Sequence, residues 1–227
     1  MSIERALVIG ATSGVGRATA SALASAGARV VGVGSERDAT DPVQGAALLD
    51  EADPDLVVVA AGARPRMAPL DEQSWESFSA PWSVDVRIAF EVGRAALARP
   101  LHPGSTVLIV SSGAGLHGSP LSGGYAGAKR MQMFLAAYLQ RAANERGLGI
   151  RFASVAPRQF VVGTQIGEAA AAAYGAEVGE SGDEYMKRFP IPLDAAGVAR
   201  ALIAVASGDE FREATSLVAS GDGLVAI

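Results

Sequence analysis

The sequence predicts a doubly wound α/β fold, with a parallel sheet of about seven strands between two layers of helices. Two observations support this prediction. Short apolar runs such as Ile3 to Ile9, Leu56 to Ala61 and Thr106 to Val110 are typical of parallel strands that are buried on both faces. Segments with apolar residues at helical spacing separate these runs, and that alternation is typical of strand–helix–strand units.

Composition limits the class of protein. The 227 residues, 49% of them hydrophobic, suffice for one sizeable core, and we expect a single domain over residues 1–227. A net charge of −5 and the lack of any block of Lys or Arg argue against nucleic acid or an anionic membrane as a partner. The chain has no Cys, and His102 and His117 are its two imidazoles, so no metal site is expected.

The sequence contains no pattern that predicts export or membrane insertion. Its first ten residues have the pattern of a strand rather than that of a signal peptide. The longest uncharged run, Leu101 to Ala128, is interrupted by Gly, Pro and Ser and contains only a short apolar core. We therefore expect a cytoplasmic protein.

A glycine-rich turn, GATSGVG, joins the first predicted strand to the first predicted helix. Its glycines would permit a tight turn, a close approach of the backbone to a pyrophosphate and close packing of helix on strand, while the helix N-terminus offers free N–H groups to the anion. Glycine is common in turns of every kind, but the position between strand and helix favours a dinucleotide-binding site over a plain turn. The predicted contacts are Gly10, Thr12, Ser13, Gly14, Val15 and Gly16.

The residues after the second predicted strand bear on which dinucleotide binds. In dinucleotide-binding folds an acidic side chain at this point accepts a hydrogen bond from the ribose 2′-hydroxyl, whereas small or basic residues admit a 2′-phosphate. Gly34 ends the strand, and Ser35 and Arg37 follow it, so NADPH is expected over NADH. Glu36 leaves NAD possible, in which case Glu36 or Asp38 would hold the ribose.

The other elements follow from periodicity and from candidate cap residues. A helix over Val43 to Ala52 leaves little room before it, so Asp38 to Thr40 is predicted to be a stub of a third strand. Asp71 is a candidate N-cap for a helix that contains Trp75, and a longer helix continues to Arg99. The later elements are a strand at 150–155, a helix near 171, a helix at 194–207 and a last strand at 215–219.

The segment from Ser112 to Lys129 contains the candidate catalytic residues. If a helix begins near Gly124, Tyr125 and Lys129 lie one turn apart on the same face. A fixed ammonium stabilises a nearby phenolate, which allows a tyrosine to act as an acid or a base. Ser112 follows a buried strand and would supply a hydroxyl to the same carbonyl oxygen. The alternative is a surface helix with a chance Tyr-x-x-x-Lys pattern.

Three predicted strands bring candidate residues to one edge of the sheet. The glycine turn follows the first strand, Gly62 ends the strand that contains Ala61, and Ser112 follows the strand that ends at Val110. In open parallel sheets ligands bind beyond the carboxyl ends of the strands. The agreement among these three strand ends is stronger evidence for a binding site than any one of the motifs.

These features together resemble the short-chain dehydrogenase/reductase family over essentially the whole chain. The resemblance rests on GATSGVG, on AAGA at residues 60–63, on the spacing of Ser112, Tyr125 and Lys129, and on AP at residues 156–157. It implies a Rossmann-like fold with a nicotinamide cofactor, Tyr125 as the acid/base and Ser112 as the group that orients the carbonyl. Lys129 would activate the tyrosine and hold the nicotinamide ribose. The further cofactor contacts that it implies are Ala61, Gly62, Tyr125, Lys129 and Pro157.

The chain departs from the family pattern at several positions. The family's Thr before the first glycine is replaced by Ile9, and its Asn pair is replaced by Val59 and Ala60. Losing both partners of a buried hydrogen bond leaves no group unsatisfied, so we interpret these changes as structural drift. The Gly expected after Pro157 is Arg158, and a Thr comes late, at Thr164.

A further departure concerns the family's proton relay. The helix Asn of that relay falls at Asp85, at a position that in the family acts largely through its main-chain carbonyl and a water leading to the lysine. An aspartate could preserve this route, and it also adds a carboxylate near Lys129.

We therefore expect an NAD(P)-dependent oxidoreductase that acts on a carbonyl or alcohol group of a small molecule. The alternative is a non-catalytic dinucleotide-binding regulator or scaffold on the same fold. An epimerase or dehydratase would usually need an added substrate domain. The helices at 75–99 and 124–146 carry more apolar residues than one sheet face needs, and with the resemblance this predicts a homodimer or homotetramer.

Overall fold

The computed structural model describes residues 3–227 and has a seven-stranded central sheet. In spatial order its strands are β2 (Arg29–Val33), β1 (Arg5–Ile9), β3 (Leu56–Val59), β4 (Thr106–Val110), β5 (Arg151–Pro157), β8 (Ser216–Ser220) and β9 (Gly223–Ala226). A separate two-stranded sheet pairs β6 (Val161–Val162) with β7 (Leu193–Asp194). The chain moves outward from β1 to β2 and then returns to β3 on the other side of β1. This reversal of strand order creates the crevice in which such folds bind their ligands.

Helices connect these strands. They are α1 (Gly14–Ser25), α2 (Pro42–Ala52), α3 (Trp75–Pro81), α4 (Arg87–Ala98), α5 (Ala114–His117), α6 (Tyr125–Glu145), α7 (Gln165–Glu177), α8 (Gly182–Met186) and α9 (Ala195–Ser207). Short 3-10 turns cover Leu70–Glu72 and Pro120–Ser122. Within residues 3–227, none of the helices has the length and apolar character needed to cross a bilayer.

Two hydrophobic cores lie on opposite faces of the sheet. One core contains Leu7 and Ile9 of β1 together with residues of α2, α4 and α6. The other contains Ala6 and Val8 of β1 together with residues of α1 and α9. Because successive side chains of a strand point to opposite faces, a strand covered on both sides must be apolar at every position. This explains the uninterrupted apolar runs of β3 and β4.

The predicted fold class is confirmed, with two corrections. The last strand, β9, runs antiparallel to β8, so the sheet is not wholly parallel. The expected strand stub from Asp38 to Thr40 is not a strand in the structure. There the Asp38 carboxylate accepts from the main-chain N–H of Thr40 at 2.9 Å and from its hydroxyl at 2.6 Å. These bonds stabilise a turn, and the segment does not pair with the sheet.

The N-cap of α3 is Ser74, and the prediction that Asp71 caps this helix is wrong. The Ser74 hydroxyl accepts from the main-chain N–H of Ser77 at 3.1 Å, and the Ser77 side chain bonds back in a capping box. Asp71 lies in the 3-10 turn that precedes the helix.

The long helix predicted to run to Arg99 is interrupted after Pro81. A π-helical turn, Trp82–Val86, separates α3 from α4. Proline has no N–H group and disturbs the regular helical ladder, which accounts for a break at this point. π-turns inside helices often occur at functional sites, and this one contains Asp85.

The glycine turn depends on close contacts between main-chain atoms. Gly10 has a φ of 93°, and a β-carbon there would lie 2.6 Å from the main-chain nitrogen of Ala61. A β-carbon on Gly16 would collide with the carbonyl oxygen of Gly10. The turn therefore fits tightly against both the start of α1 and the end of β3.

We expect Gly16→Ala to destabilise the protein by about 1–3 kcal/mol, because the added methyl group must displace the turn. Gly45→Ala is a matched control, since a β-carbon on Gly45 would meet its nearest neighbour at 3.8 Å, an ordinary contact. Removing a helical glycine there should stabilise the protein by roughly 0.5–1 kcal/mol. Urea unfolding of the three proteins measures both effects. Equal stabilities for the two variants would contradict the tight packing of the turn.

Candidate active site

The glycine turn and the first turn of α1 form a candidate anion-binding cradle. Ser13, the N-cap of α1, is extended, and its hydroxyl caps no N–H group of the helix. The first N–H groups of a helix have no partner within it and point toward an anion placed at its end. On the opposite side, a β-carbon on Gly14 would lie 3.4 Å from the Cγ2 methyl group of Thr164. The donors, the close-packed glycines and the nearby segment fit the pyrophosphate of a dinucleotide.

Thr164 reaches this cradle although it comes late in the sequence. Its hydroxyl donates to the Val161 carbonyl at 2.8 Å and accepts from the Gly167 N–H at 3.1 Å, which caps α7. The hydroxyl is therefore used within its own segment, while its methyl group faces the glycine turn.

An acidic side chain occupies the end of β2. One carboxylate oxygen of Glu36 accepts from the Gly34 N–H at 2.6 Å, and this bond is the main cause that lowers the pKa of Glu36. A β-carbon on Gly34 would collide with Glu36 and would lie 2.5 Å from the Cγ2 of Thr12 in the glycine turn. A carboxylate anion thus lies beside the turn, at the position that the ribose hydroxyls occupy in dinucleotide-binding folds.

The other candidate residues at this end have partners of their own. The guanidinium of Arg37 pairs with Glu51 at 2.5 Å. Asp38 bonds Thr40, and this bond to the Thr40 side chain lowers the pKa of Asp38. Ser35, which precedes both residues in sequence, is exposed.

The helix of the candidate acid/base begins where the sequence predicts. Gly124 is the N-cap of α6 and Tyr125 is its first residue. A β-carbon on Gly124 would collide with the carbonyl oxygen of Phe78 in α3, and the Gly124 N–H donates to that oxygen at 3.1 Å. This close approach fixes the start of α6 against α3. Tyr125 is 9% exposed, so its phenol lies at the boundary between core and solvent.

Lys129 is buried beside Tyr125. Its Nζ lies 5.3 Å from the centre of the Tyr125 ring, and it donates to the main-chain carbonyl of Val110, the last residue of β4, at 3.2 Å. Nζ also lies 3.0 Å from Oδ2 of Asp85. Oδ2 accepts no bond with proper hydrogen-bond angles among the described residues, so this contact is an ion pair.

Asp85 is fully buried and is held on two sides. Its second carboxylate oxygen, Oδ1, accepts from the main-chain N–H of Ala63 at 2.7 Å. Its main-chain carbonyl accepts from Nε2 of Gln132, a buried residue of α6, at 3.1 Å. Gly62 makes room for it, because a β-carbon on Gly62 would lie 2.7 Å from Oδ2.

Electrostatics keep Lys129 charged. Burial by itself would lower the pKa of Lys129, but the charge of Asp85, with a smaller effect from Tyr125, outweighs burial and raises the pKa above its ordinary 10.5. A group whose pKa is raised by folding stabilises the fold at pH values below its unfolded pKa. That contribution is present below pH 10.5 and is lost as the pH rises through the raised value.

The two serines after β4 have different contacts. Ser111 is buried and donates to the main-chain carbonyl of Lys129 at 2.7 Å, which holds α6 on the strand. Ser112 is half-buried, and its hydroxyl accepts from the Ala114 N–H at 3.2 Å. Beside them, the Gly113 N–H donates to the carbonyl of Pro157 at 2.7 Å. Ser112 and Pro157 therefore lie at adjacent strand ends.

A layer of aromatic residues fixes the segment after β5. The ring of Phe160 packs within about 6 Å, centre to centre, of the rings of Tyr174, Tyr185 and Phe189. The Tyr174 hydroxyl lies 2.8 Å from that of Ser119 and accepts from the Leu121 N–H at 3.3 Å. These contacts tie α7 to the loop that precedes Tyr125, so the loop and α7 together border the site.

The structure brings together Tyr125, Lys129, Asp85 and Gly62, four of the candidate residues from the sequence. Sequence reasoning missed three of their partners: the carbonyl of Val110, the N–H of Ala63 and the side chain of Gln132. The two main-chain groups leave no signal in a sequence. Gln132 left a weak one, because it is a polar residue three positions after Lys129 on the same face of a helix.

Comparisons with known proteins relate the chain to a family and to a fold. The model of the NAD dependent epimerase/dehydratase family matches residues 6–188, and the search of curated proteins found no match. Sorbitol-6-phosphate 2-dehydrogenase SrlD from Erwinia amylovora has a TM-score of 0.80 at 22% identity, over 95% of this chain and 98% of that chain. Levodione reductase has a TM-score of 0.79 at 22% identity, and the match covers 96% of this chain and 95% of that chain. A short chain dehydrogenase from Mycobacterium avium has a TM-score of 0.73 at 23% identity, and the match covers 99% of this chain and 84% of that chain.

The likeness to these solved structures confirms the predicted Rossmann-like fold of the short-chain dehydrogenases. The family model covers most of the chain and names a nicotinamide cofactor. The chain therefore belongs to the NAD dependent epimerase/dehydratase family, whose members use nicotinamide cofactors and are related to the short-chain dehydrogenases.

Proposed function

We propose that the protein is a nicotinamide-dependent oxidoreductase that interconverts a carbonyl group and an alcohol on a small molecule. The observation that carries this proposal is the buried ammonium of Lys129, 5.3 Å from the centre of the Tyr125 ring. A fixed cation stabilises the phenolate that forms when a tyrosine gives up its proton. The pair lies at the same edge of the sheet as the glycine turn. A regulatory or scaffold protein could use the buried lysine to hold its elements together, but it would not need a tyrosine beside that lysine at this edge.

Each residue of the site has a separate task in the proposed reaction. When it is bound, the nicotinamide dinucleotide supplies the hydride for reduction or accepts it in oxidation. Tyr125 donates a proton to the carbonyl oxygen as the hydride reaches the carbonyl carbon, and takes a proton back in the reverse direction. Ser112 donates a hydrogen bond that orients this oxygen. Lys129 stabilises the phenolate that is left after the transfer.

An epimerase or dehydratase is a second candidate, favoured by the match to the family model over residues 6–188. Such an enzyme could use the same acid/base and cofactor, with the cofactor regenerated within each cycle. Nicotinamide absorbance distinguishes the two reactions. It changes as product forms if the enzyme is an oxidoreductase, and it stays constant if the cofactor is regenerated in each cycle.

We further propose that the preferred cofactor is NAD(H). Gly34, Ser35 and Arg37 favoured NADPH in the sequence, but two contacts argue for NAD. The Glu36 carboxylate, bonded to the Gly34 N–H at 2.6 Å, would repel a 2′-phosphate and can accept from a 2′-hydroxyl. Arg37, the cation that a 2′-phosphate would need, already pairs with Glu51.

We also propose that the protein is a homodimer or homotetramer. Phe134 and Tyr138 of α6 stack at 6.3 Å between ring centres, and they are 44% and 60% exposed. Phe90 of α4 is 46% exposed on a neighbouring helix. Large aromatic side chains on two adjacent helices form a surface that a second copy of the chain could cover.

The first prediction tests the role of Tyr125. Tyr125→Phe should lower turnover about 10²-fold to 10⁴-fold, because it removes the transferable proton while the helix and its packing remain. Dinucleotide affinity should be nearly unchanged. Tyr138→Phe, on the exposed face of the same helix, is the matched control and should keep full turnover. If wild type binds dinucleotide, reduces nothing in a broad panel of carbonyl compounds and is indistinguishable from Tyr125→Phe, the binding-module alternative is correct.

The second prediction concerns the choice between the two dinucleotides. Wild type should bind NADH more tightly than NADPH, and Glu36→Gln should shift the ratio of the two affinities about tenfold or more toward NADPH, since it removes the repelling charge. Glu145→Gln makes the same change in net charge at the far end of α6 and should leave the ratio unchanged. Fluorescence titration measures both constants. Tighter binding of NADPH by wild type would reverse the proposal.

The third prediction concerns assembly. Sedimentation at micromolar concentration should give a dimer or tetramer, and Tyr138→Glu should shift it toward the monomer by placing a charge in the interface. Val43→Glu adds the same charge at an exposed position on α2 and should not change the mass. A monomeric wild type would disprove this assembly.

A further inference from the structure

The ammonium of Lys129 forms an ion pair with a carboxylate that has no access to solvent. Asp85 is 0% exposed and Lys129 is 6% exposed, and their charged atoms are 3.0 Å apart. Oδ1 of Asp85 is fixed by the Ala63 N–H and Nζ of Lys129 by the Val110 carbonyl. Because both partners are anchored to main-chain groups, the two charges are held at a constant separation and orientation.

The main-chain carbonyl of Asp85 has its partner on α6 and does not contact Lys129. Nε2 of Gln132 donates to it at 3.1 Å, and Gln132 is itself 0% exposed. In the family that the sequence resembles, this carbonyl is the group that acts at this position. In this chain the carboxylate, and not the carbonyl, is the group that contacts Lys129.

A counter-ion changes what the lysine does to its neighbour. The potential of an isolated cation stabilises a phenolate several ångströms away, whereas an anion 3.0 Å from that cation cancels part of the potential. In a buried site this cancellation is not screened by salt. The phenol next to such a pair holds its proton to a higher pH than a phenol beside a lone ammonium.

On the basis of the proposed function, we propose that the Asp85 carboxylate is a positioning group that offsets the charge of Lys129 at the Tyr125 hydroxyl. It thereby keeps Tyr125 in its proton-donating form over a wider pH range. For the reaction, proton donation to the carbonyl oxygen then continues to a higher pH, because reduction begins with a protonated phenol.

Other charged side chains on the elements packed around this pair are not in contact with it. Glu91 of α4 is paired with Arg94, and Arg151 bonds main-chain carbonyls at the opposite end of β5. The remaining charged or titratable groups of these elements near the site are exposed: Arg64, Glu76, Arg87, His117, Arg130 and Arg158.

The test follows the ionisation of Tyr125 directly and needs no substrate. Phenolate absorbance is titrated against pH for wild type and for Asp85→Asn, and each curve is corrected by subtracting that of the same protein carrying Tyr125→Phe. Without the counter-ion, the signal that depends on Tyr125 should appear about one pH unit lower. Superimposable curves for wild type and Asp85→Asn would overturn the proposal.

Gln132→Met is the matched control at this site. It removes the amide that binds the carbonyl of Asp85 and leaves the carboxylate in place, so the phenolate curve should stay where it is in wild type. If Gln132→Met moves the curve and Asp85→Asn does not, the carbonyl is the acting group and the proposal is overturned.

A second variant covers the case in which Asp85→Asn does not fold, since it leaves an unpaired buried ammonium. The double variant Asp85→Asn/Lys129→Met contains neither charge. If Asp85 cancels part of the potential of Lys129 at Tyr125 in wild type, the phenolate curve of the double variant should rise by less than about one pH unit. A rise of about one unit or more would mean that the lysine acts alone, which overturns the proposal.

The phenolate titration tests this inference whether or not the protein shows turnover. A protein that reduces no carbonyl compound but shows the downward shift in Asp85→Asn retains the electrostatic inference and loses the proposed reaction. For an active protein, the alkaline limb of the pH profile for reduction should move to lower pH in Asp85→Asn by the same amount as the phenolate curve.

Discussion

The buried carboxylate of Asp85 is the contact on which the rest of the site depends. It accepts from the Ala63 N–H after β3 and pairs with Lys129 of α6, which in turn donates to the Val110 carbonyl at the end of β4. The carbonyl of the same residue binds Gln132 on α6. One residue therefore joins two strand ends, a π-helical turn and a long helix. Removing one partner of such a buried pair costs far more than the pair itself contributes, so these elements are fixed relative to one another.

Much of this fold can be read from the sequence because a sheet covered on both faces leaves a strong pattern. β3 is apolar at every position and β4 at every position after Thr106, and α6 begins at the residue that the Tyr-x-x-x-Lys spacing required. The predictions from the sequence fail where side chains form hydrogen bonds with nearby main-chain groups. Asp38 bonds Thr40 and turns a predicted strand into a loop, and Ser74 takes the cap position that Asp71 seemed to offer. The short edge strand β9 is mostly exposed, so its residues carry no periodic apolar signal.

The region around the predicted ribose site shows why residue types alone do not determine binding. The order Ser35, Glu36, Arg37 contains both an acid and a base, and either could face a ligand. Which of these two side chains is left to face a ligand depends on the partner that each one has in the fold. Glu51, on the following helix, holds the guanidinium of Arg37, while the Gly34 N–H draws the Glu36 carboxylate back beside the glycine turn. Only the geometry shows which charge is available.

The absence of a side chain at Gly62 has a consequence for how this site can vary. A β-carbon there would occupy the space of the Asp85 carboxylate, at 2.7 Å from Oδ2. The bond of the aspartate to Ala63 and its pair with Lys129 both oppose a shift of the carboxylate that would relieve this crowding. Position 62 therefore cannot be substituted independently of position 85. Residue 62 can acquire a side chain only in a protein in which residue 85 has a smaller side chain, and in such a protein the buried lysine loses its carboxylate partner.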